Sequence, residues 1–395
     1  MADRTRILVA HALPGIALAL WAAAQTPAFA GPNEQAERLF GRLTGSQPSA
    51  SVRAQMSADI AGGSAGAIAA ANLAMQDPAF YNVTIRNFAA PMTNKAQSVF
   101  VPLNDYTATV IGMVRDNVPF NTVLSADLLY VGAGSTGAPA YSPANNNMYQ
   151  YLDDNNVDLS NPANLQASTQ SSMLGLPTAA TAGVMTTAAG AGAFFYKGTN
   201  RAMVRFTMMN YLCDDLQYIA DTTRPSDRIR QDPARSPGGD SRVFLNQCIG
   251  CHSGMDALAG AFAYYDFNLT TNTETYTPGQ VVPKYSINTS NFAYGYVTVD
   301  DSWKNYWRSG PNALLGWSAA LPGTGNGAKA FGQELESSQQ FTTCQVQKVF
   351  QTVCLRPPGN SADYAQVSQI SADFAANNYS LKTVFAETAV YCMGQ

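Results

Sequence analysis

Cys248-Ile249-Gly250-Cys251-His252 is a C-x-x-C-H run, the spacing of c-type haem attachment. The chemistry accounts for each position. Two thiols three residues apart add across the two vinyl groups of one porphyrin, and the adjacent imidazole reaches the iron as proximal ligand. The run therefore makes Cys248 and Cys251 candidate tethers and His252 the candidate iron ligand, with haem c as the covalently attached cofactor. Three other readings are weaker. A C-x-x-C redox pair belongs at a strand-to-helix junction, which the flanking residues do not suggest. A zinc site needs further thiolates from Cys213, Cys344, Cys354 or Cys392,. A structural disulfide inside the run leaves His252 without a role.

Working outward, the run occurs once in 395 residues, which implies one haem and excludes a wire of closely spaced haems. The only other histidine, His11, falls in a segment expected to be removed, so bis-histidine ligation is not expected. A methionine sixth ligand fits, since Met/His pairs raise the potential. Met255 lies on the same side of the haem as His252, and Met393 is the only later methionine. Upstream stand Met113, Met185, Met203, Met208 and Met209, each of which would otherwise be core,. Met185 is favoured because its Gly- and Ala-rich neighbours allow close backbone approach. An open iron, or a weak oxygen or lysine ligand, is the alternative. Arg235 and Arg242, just before the run, suit haem propionates,.

Forty-six per cent apolar and 13 per cent charged residues suit a folded chain with a sizeable core,. A formal charge of −4 without a basic run argues against nucleic acid as a partner,. Residues 1–30 read as an export signal: Arg4 and Arg6, then an apolar stretch to Ala24, then Ala28-Phe29-Ala30 as a cleavage site,. Cleavage after Ala30 would leave a periplasmic or secreted protein without a stable membrane anchor. In that oxidising setting the four remaining cysteines form an even set. Cys344 and Cys354 are ten apart on one expected helix, roughly 15 Å, too far to bridge. Two disulfides would then pair Cys213 and Cys392 with one of them each.

The pattern predicts a mainly α chain. Residues 31–130 read as a helical region, with helices in 33–60, at 65–75 and at 106–114, and Leu124, Leu128 and Leu129 at helical spacing,. Residues 131–195 read as a loop-rich linker or insertion. Residues 196–395 read as the cytochrome c-like haem-binding region. It holds a buried helix at 202–219, β-hairpins at 262–300, a strong helix at 337–355 and two closing helices at 364–392,.

Cys248 to Asp266, CIGCHSGMDALAGAFAYYD, resembles the haem segment of exported planctomycete-type cytochrome c-like proteins, with its C-x-x-C-H-x-x-M-D. Ala257 stands where that pattern has proline, and Ala263-Tyr264 where it has Glu-Asn. Arg201 to Cys213 is similar to the family's basic segment ending in Leu-Cys. Arg38 to Pro48 is similar to its R-L-x-x-x-L-T-G-x-x-P opening, and Phe341, Cys344, Phe350 and 374–384 to its last helices. The resemblance implies an exported, mainly helical monohaem protein and no particular substrate. The leading expectation is a single-electron carrier between redox partner proteins. The alternatives are a peroxidase- or oxidase-like enzyme with an open iron, and a haem-bearing subunit of a larger complex.

Overall fold

The computed structural model describes residues 30–225, 240–286 and 298–394. It is mainly helical, with three two-stranded antiparallel sheets. One buried cluster runs from Ala36 to Ala389. The N-terminal helices and the C-x-x-C-H region therefore share a core.

Local sequence explains where the first helices start and stop. Pro32 opens helix Pro32–Thr44, and Gly45 ends it at φ 72°, the left-handed geometry that glycine adopts without a Cβ penalty. The Ser49 hydroxyl accepts from the Val52 N–H at the start of helix Ala50–Ala61,. The C-terminal helices Gln339–Cys354, Ser361–Ala376 and Leu381–Cys392 pack on one another, and the last also meets helices Ser64–Ala74 and Pro32–Thr44. Val346, Val349, Phe350 and Val353 form the buried stripe expected of the first. The described ends meet: Arg38 donates to the Met393 carbonyl at 2.7 Å.

Three expectations are corrected. Residues 131–195, read as a loop-rich linker or insertion, hold regular elements and core positions. They carry strand β1 (Leu129–Gly132) paired with β2 (Leu165–Ser168), and helix Asn147–Asp154. They also carry helix Ala188–Phe194 and a fully buried run, 180–187. Four-residue strands and a three-residue apolar stripe (Met148, Tyr149, Leu152) leave too few repeats for periodicity to register,. Leu124, Leu128 and Leu129 are not helical. A 3-10 turn at Phe120–Thr122 leads to β1, and the Leu124 carbonyl packs where a Cβ on Gly332 would stand. The helix expected at 202–219 is Arg201–Tyr211. Cys213 turns the chain at φ 57° and is bridged to Cys344.

The hairpin expected after the C-x-x-C-H run is present as β3 (Tyr265–Asn268) and β4 (Thr273–Tyr276), with Tyr265 facing Tyr276. Strands β5 (Ser302–Lys304) and β6 (Thr324–Asn326) form the third sheet. The second expected hairpin, at Phe292 to Tyr296, and nearly all of the expected export signal lie outside the described residues.

Candidate functional site

Cys248 ends a π turn, Phe244–Cys248, and Cys251, His252, Met255 and Asp256 follow on helix Ile249–Ala259, the motif helix. Its neighbours are mainly helix Arg201–Tyr211, strand β5 and the 3-10 turns at 260–262 and 306–308. Small residues permit that packing. A Cβ on Gly254 would fall inside the Trp307 indole, and Trp307 is fully buried. A Cβ on Gly250 would press on Ala220 and Thr222, where the Asp221 N–H donates to the Gly250 carbonyl at 3.0 Å. These contacts pin the buried face of the helix. Cys248, Cys251 and His252 remain half-buried.

The cysteines divide cleanly. Cys213 bridges Cys344 and Cys354 bridges Cys392, with Cα separations of 5.3 and 5.5 Å. This is a pairing that the ten-residue helix argument allows. Cys248 and Cys251 are free. The four disulfide cysteines are thereby withdrawn from any zinc site built on the run. Among the described residues no group of three His, Cys, Asp or Glu side chains could hold a metal ion. Burial pushes the Cys251 thiol up, reinforced by Asp215 and Cys248 and opposed by Arg205. It stays a protonated thiol, and its Sγ lies 3.4 Å from the Leu216 carbonyl.

His252 is held by a partner that the sequence reading did not assign. Its Nδ1 lies 3.1 and 3.0 Å from the two oxygens of Asp256, one helical turn on. Asp256 is fully buried and also takes Arg201, Nε to Oδ1 at 2.5 Å and Nη2 to Oδ2 at 2.9 Å. Burial acts to raise the Asp256 carboxyl. The Arg201 charge and the bonds from His252 and Arg201 outweigh it and hold the group well below the usual carboxylate range. An ionised carboxylate only accepts, so Nδ1 carries the imidazole proton. Nε2 is then the basic nitrogen, the arrangement by which proteins orient a metal-ligating histidine. The His252 side chain is 20% exposed, and the Phe244 ring lies beside it at 6.3 Å between centroids. Exposed Leu245 and Tyr218 add apolar surface within three residues of Cys248 and of Leu216. Two unpaired thiols, one oriented imidazole and apolar neighbours form a donor set that fits a covalently attached haem.

Of the other expected site residues, Arg242 stands on the short helix Ser241–Val243 that leads into the Phe244–Cys248 turn. Arg242 is 82% exposed and bonded to Asp240, while Arg235 is outside the described residues. The arginines brought to the motif helix are Arg201 and, one turn along, Arg205, which pairs with Asp215 at 2.6 Å. Met185 is buried on a 3-10 turn, Gly183–Thr186, tied to Val123 and Ala126 by the Val184 and Gly183 N–H groups. That turn is not among the principal neighbours of the motif helix. Met203, Met208 and Met209 stand on the Arg201 helix, which is. The His252–Asp256 pair was visible in sequence as an i, i+4 spacing. Arg201 carried no local sign of its partner, 55 residues away.

Comparison with protein-family models, with curated proteins and with solved structures found no match. Among the described residues no helix is long and apolar enough to cross a membrane.

Proposed function

We propose that this chain is an exported monohaem c-type cytochrome that passes single electrons between redox partner proteins. Cys248 and Cys251 would tether the haem, and His252 Nε2 would ligate its iron. When bound, that group supplies one-electron redox chemistry at the surface of the motif helix. The observation that carries the reading is the combination of two free thiols, in a chain that bridges its other four cysteines, with an imidazole whose Nδ1 is already engaged. The chain's own residues orient the ligand: Asp256 fixes the tautomer, and Trp307 against Gly254 sets the height of the helix. Two disulfides favour an oxidising compartment for the folded chain.

The test is expression with and without c-type cytochrome maturation. Matured protein keeps one haem mass after denaturation, and a Cys248→Ala, Cys251→Ala variant does not. Haem lost on denaturation of the unmodified chain overturns the proposal. Met185 stays the proposed sixth ligand on its sequence setting alone, since its turn is not a principal neighbour of the motif helix: the oxidised protein shows the far-red methionine–iron band, and Met185→Ala abolishes it. Survival of the band returns Met185 to the core and moves the ligand to another methionine. A high-spin spectrum that shifts with cyanide supports the open-iron enzyme instead.

A further inference from the structure

Asp256 does more than hold a ring in place, because of what it is and where it lies. A backbone carbonyl would orient His252 equally well. Here the acceptor is a carboxylate with no exposure to solvent, and both of its oxygens lie within 3.1 Å of Nδ1. An anionic acceptor draws the Nδ1 proton toward itself and leaves more electron density on Nε2, which makes the imidazole a stronger donor. In a buried setting that charge is poorly screened. The same carboxylate, however, carries a guanidinium on its other side. Arg201 meets it through two roughly parallel N–H bonds, with 17% exposure of the arginine side chain. Such a bidentate contact competes for the density that Nδ1–H would otherwise use.

We propose that Asp256 and Arg201 are positioning residues acting in series on His252: Asp256 strengthens it as an iron ligand, and Arg201 limits that strengthening through Asp256. The inference rests on the haem reading above. A stronger donor stabilises the oxidised over the reduced iron. Weakening Asp256 should therefore raise the midpoint potential, and removing Arg201 should lower it. Arg205 is the neighbouring cation, and its guanidinium is engaged by Asp215.

The experiment is a redox titration of the full matured chain and three variants: Asp256→Asn, Arg201→Met and the double substitution. The Asn variant keeps an acceptor for Nδ1–H and most of the shape of the site. We expect an upward shift for Asp256→Asn and a downward shift for Arg201→Met. In the Asn background, the effect of Arg201→Met should fall to half or less of its size in the unmodified chain. That non-additivity separates action through Asp256 from two independent charges near a haem. Equal arginine effects in both backgrounds overturn the proposal, as do shifts of the same sign. If Arg201→Met does not fold, Arg201→Lys takes its place. Its single ammonium cannot make the bidentate contact, and the same downward shift, halved in the Asn background, is expected. Absence of covalent haem from the unmodified chain is a different result, because it removes the haem reading itself.

Discussion

Glu336 makes the stability of this fold depend on pH in a way that one substitution should remove. It closes helix Gly327–Glu336 and is 3% exposed. Its carboxyl accepts from the Leu124 N–H and from the Ser125 hydroxyl, the latter at 2.6 Å. Burial pushes it from 4.5 up to about 8, against the lowering effect of the Ser125 and Leu124 bonds. Between those two values the folded chain keeps a proton that the unfolded chain releases. Stability is then full below pH 4.5 and falls as pH rises, by about 1.4 kcal/mol per unit, until the native group ionises near pH 8,. From pH 5 to pH 8 the loss is about 3.5 kcal/mol. Glu336→Gln keeps an acceptor for Leu124 and offers an amide N–H to Ser125, but has nothing to titrate. Urea unfolding of both proteins at pH 5, 6, 7 and 8 is the assay. The variant should gain on the unmodified chain by roughly 3 to 4 kcal/mol across the range. Other shifted groups, such as Glu387 at about 7, are common to both proteins and cancel in the difference. Two curves that stay parallel within about 1 kcal/mol would refute the buried, proton-holding Glu336.

Gly254→Ala puts a methyl group into the Trp307 indole, which is fully buried and has nowhere to retreat. Overpacking of this kind costs about 1–3 kcal/mol; a denaturation midpoint within error of the unmodified chain would mean that the motif helix is not seated on Trp307. The Cys213–Cys344 bridge closes 131 residues and Cys354–Cys392 closes 38. Loop entropy gives upper estimates of about 5 and about 4 kcal/mol. Replacing either pair by serines should lower the urea midpoint clearly, and an unchanged midpoint for both would show that the bridges do not constrain the chain.

The parts of this fold that were legible in the sequence share a property: their signal is local and repeated. Helix Gln339–Cys354 shows four buried positions in register, and its length alone keeps Cys344 from Cys354. The five residues of C-x-x-C-H are a local signal too, and the haem chemistry proposed for them rests on that spacing,. The parts that were not legible depend on partners far along the chain. Leu124 looks helical beside Leu128, but its place is set by Glu336 and Gly332, more than 200 residues later. The Ala- and Gly-rich run near 183 falls in the stretch that reads as a linker or insertion, although Gly183 and Val184 bond to Ala126 and Val123. There small residues mark close packing. Arg242 is near Cys248 in sequence, and Arg201 is far from it. In three dimensions Arg242 faces solvent and Arg201 reaches Asp256.

On the proposed reading, a chain this long is more than the attachment of one haem would need, and the geometry suggests what the surplus does. Burying an ionised carboxylate under a ligand is costly unless it is paired and enclosed. Enclosing Asp256 takes a second helix to supply Arg201, and that helix must be held at a fixed distance. Helix Arg201–Tyr211 is held at one end by Asn200, whose amide donates to the Phe262 and Tyr265 carbonyls beyond the motif helix. Just past its other end, Cys213 is bridged to Cys344 on the C-terminal helix Gln339–Cys354. The Tyr211 hydroxyl, 2.6 Å from that of Tyr106, ties it to helix Asp105–Arg115 as well. The N-terminal and C-terminal helices thus converge on one element, and that element supplies the guanidinium that pairs with Asp256. On this argument the large body is the support that keeps a buried ion pair in register with His252, and loosening it at Cys213 should disturb the site before it unfolds the chain.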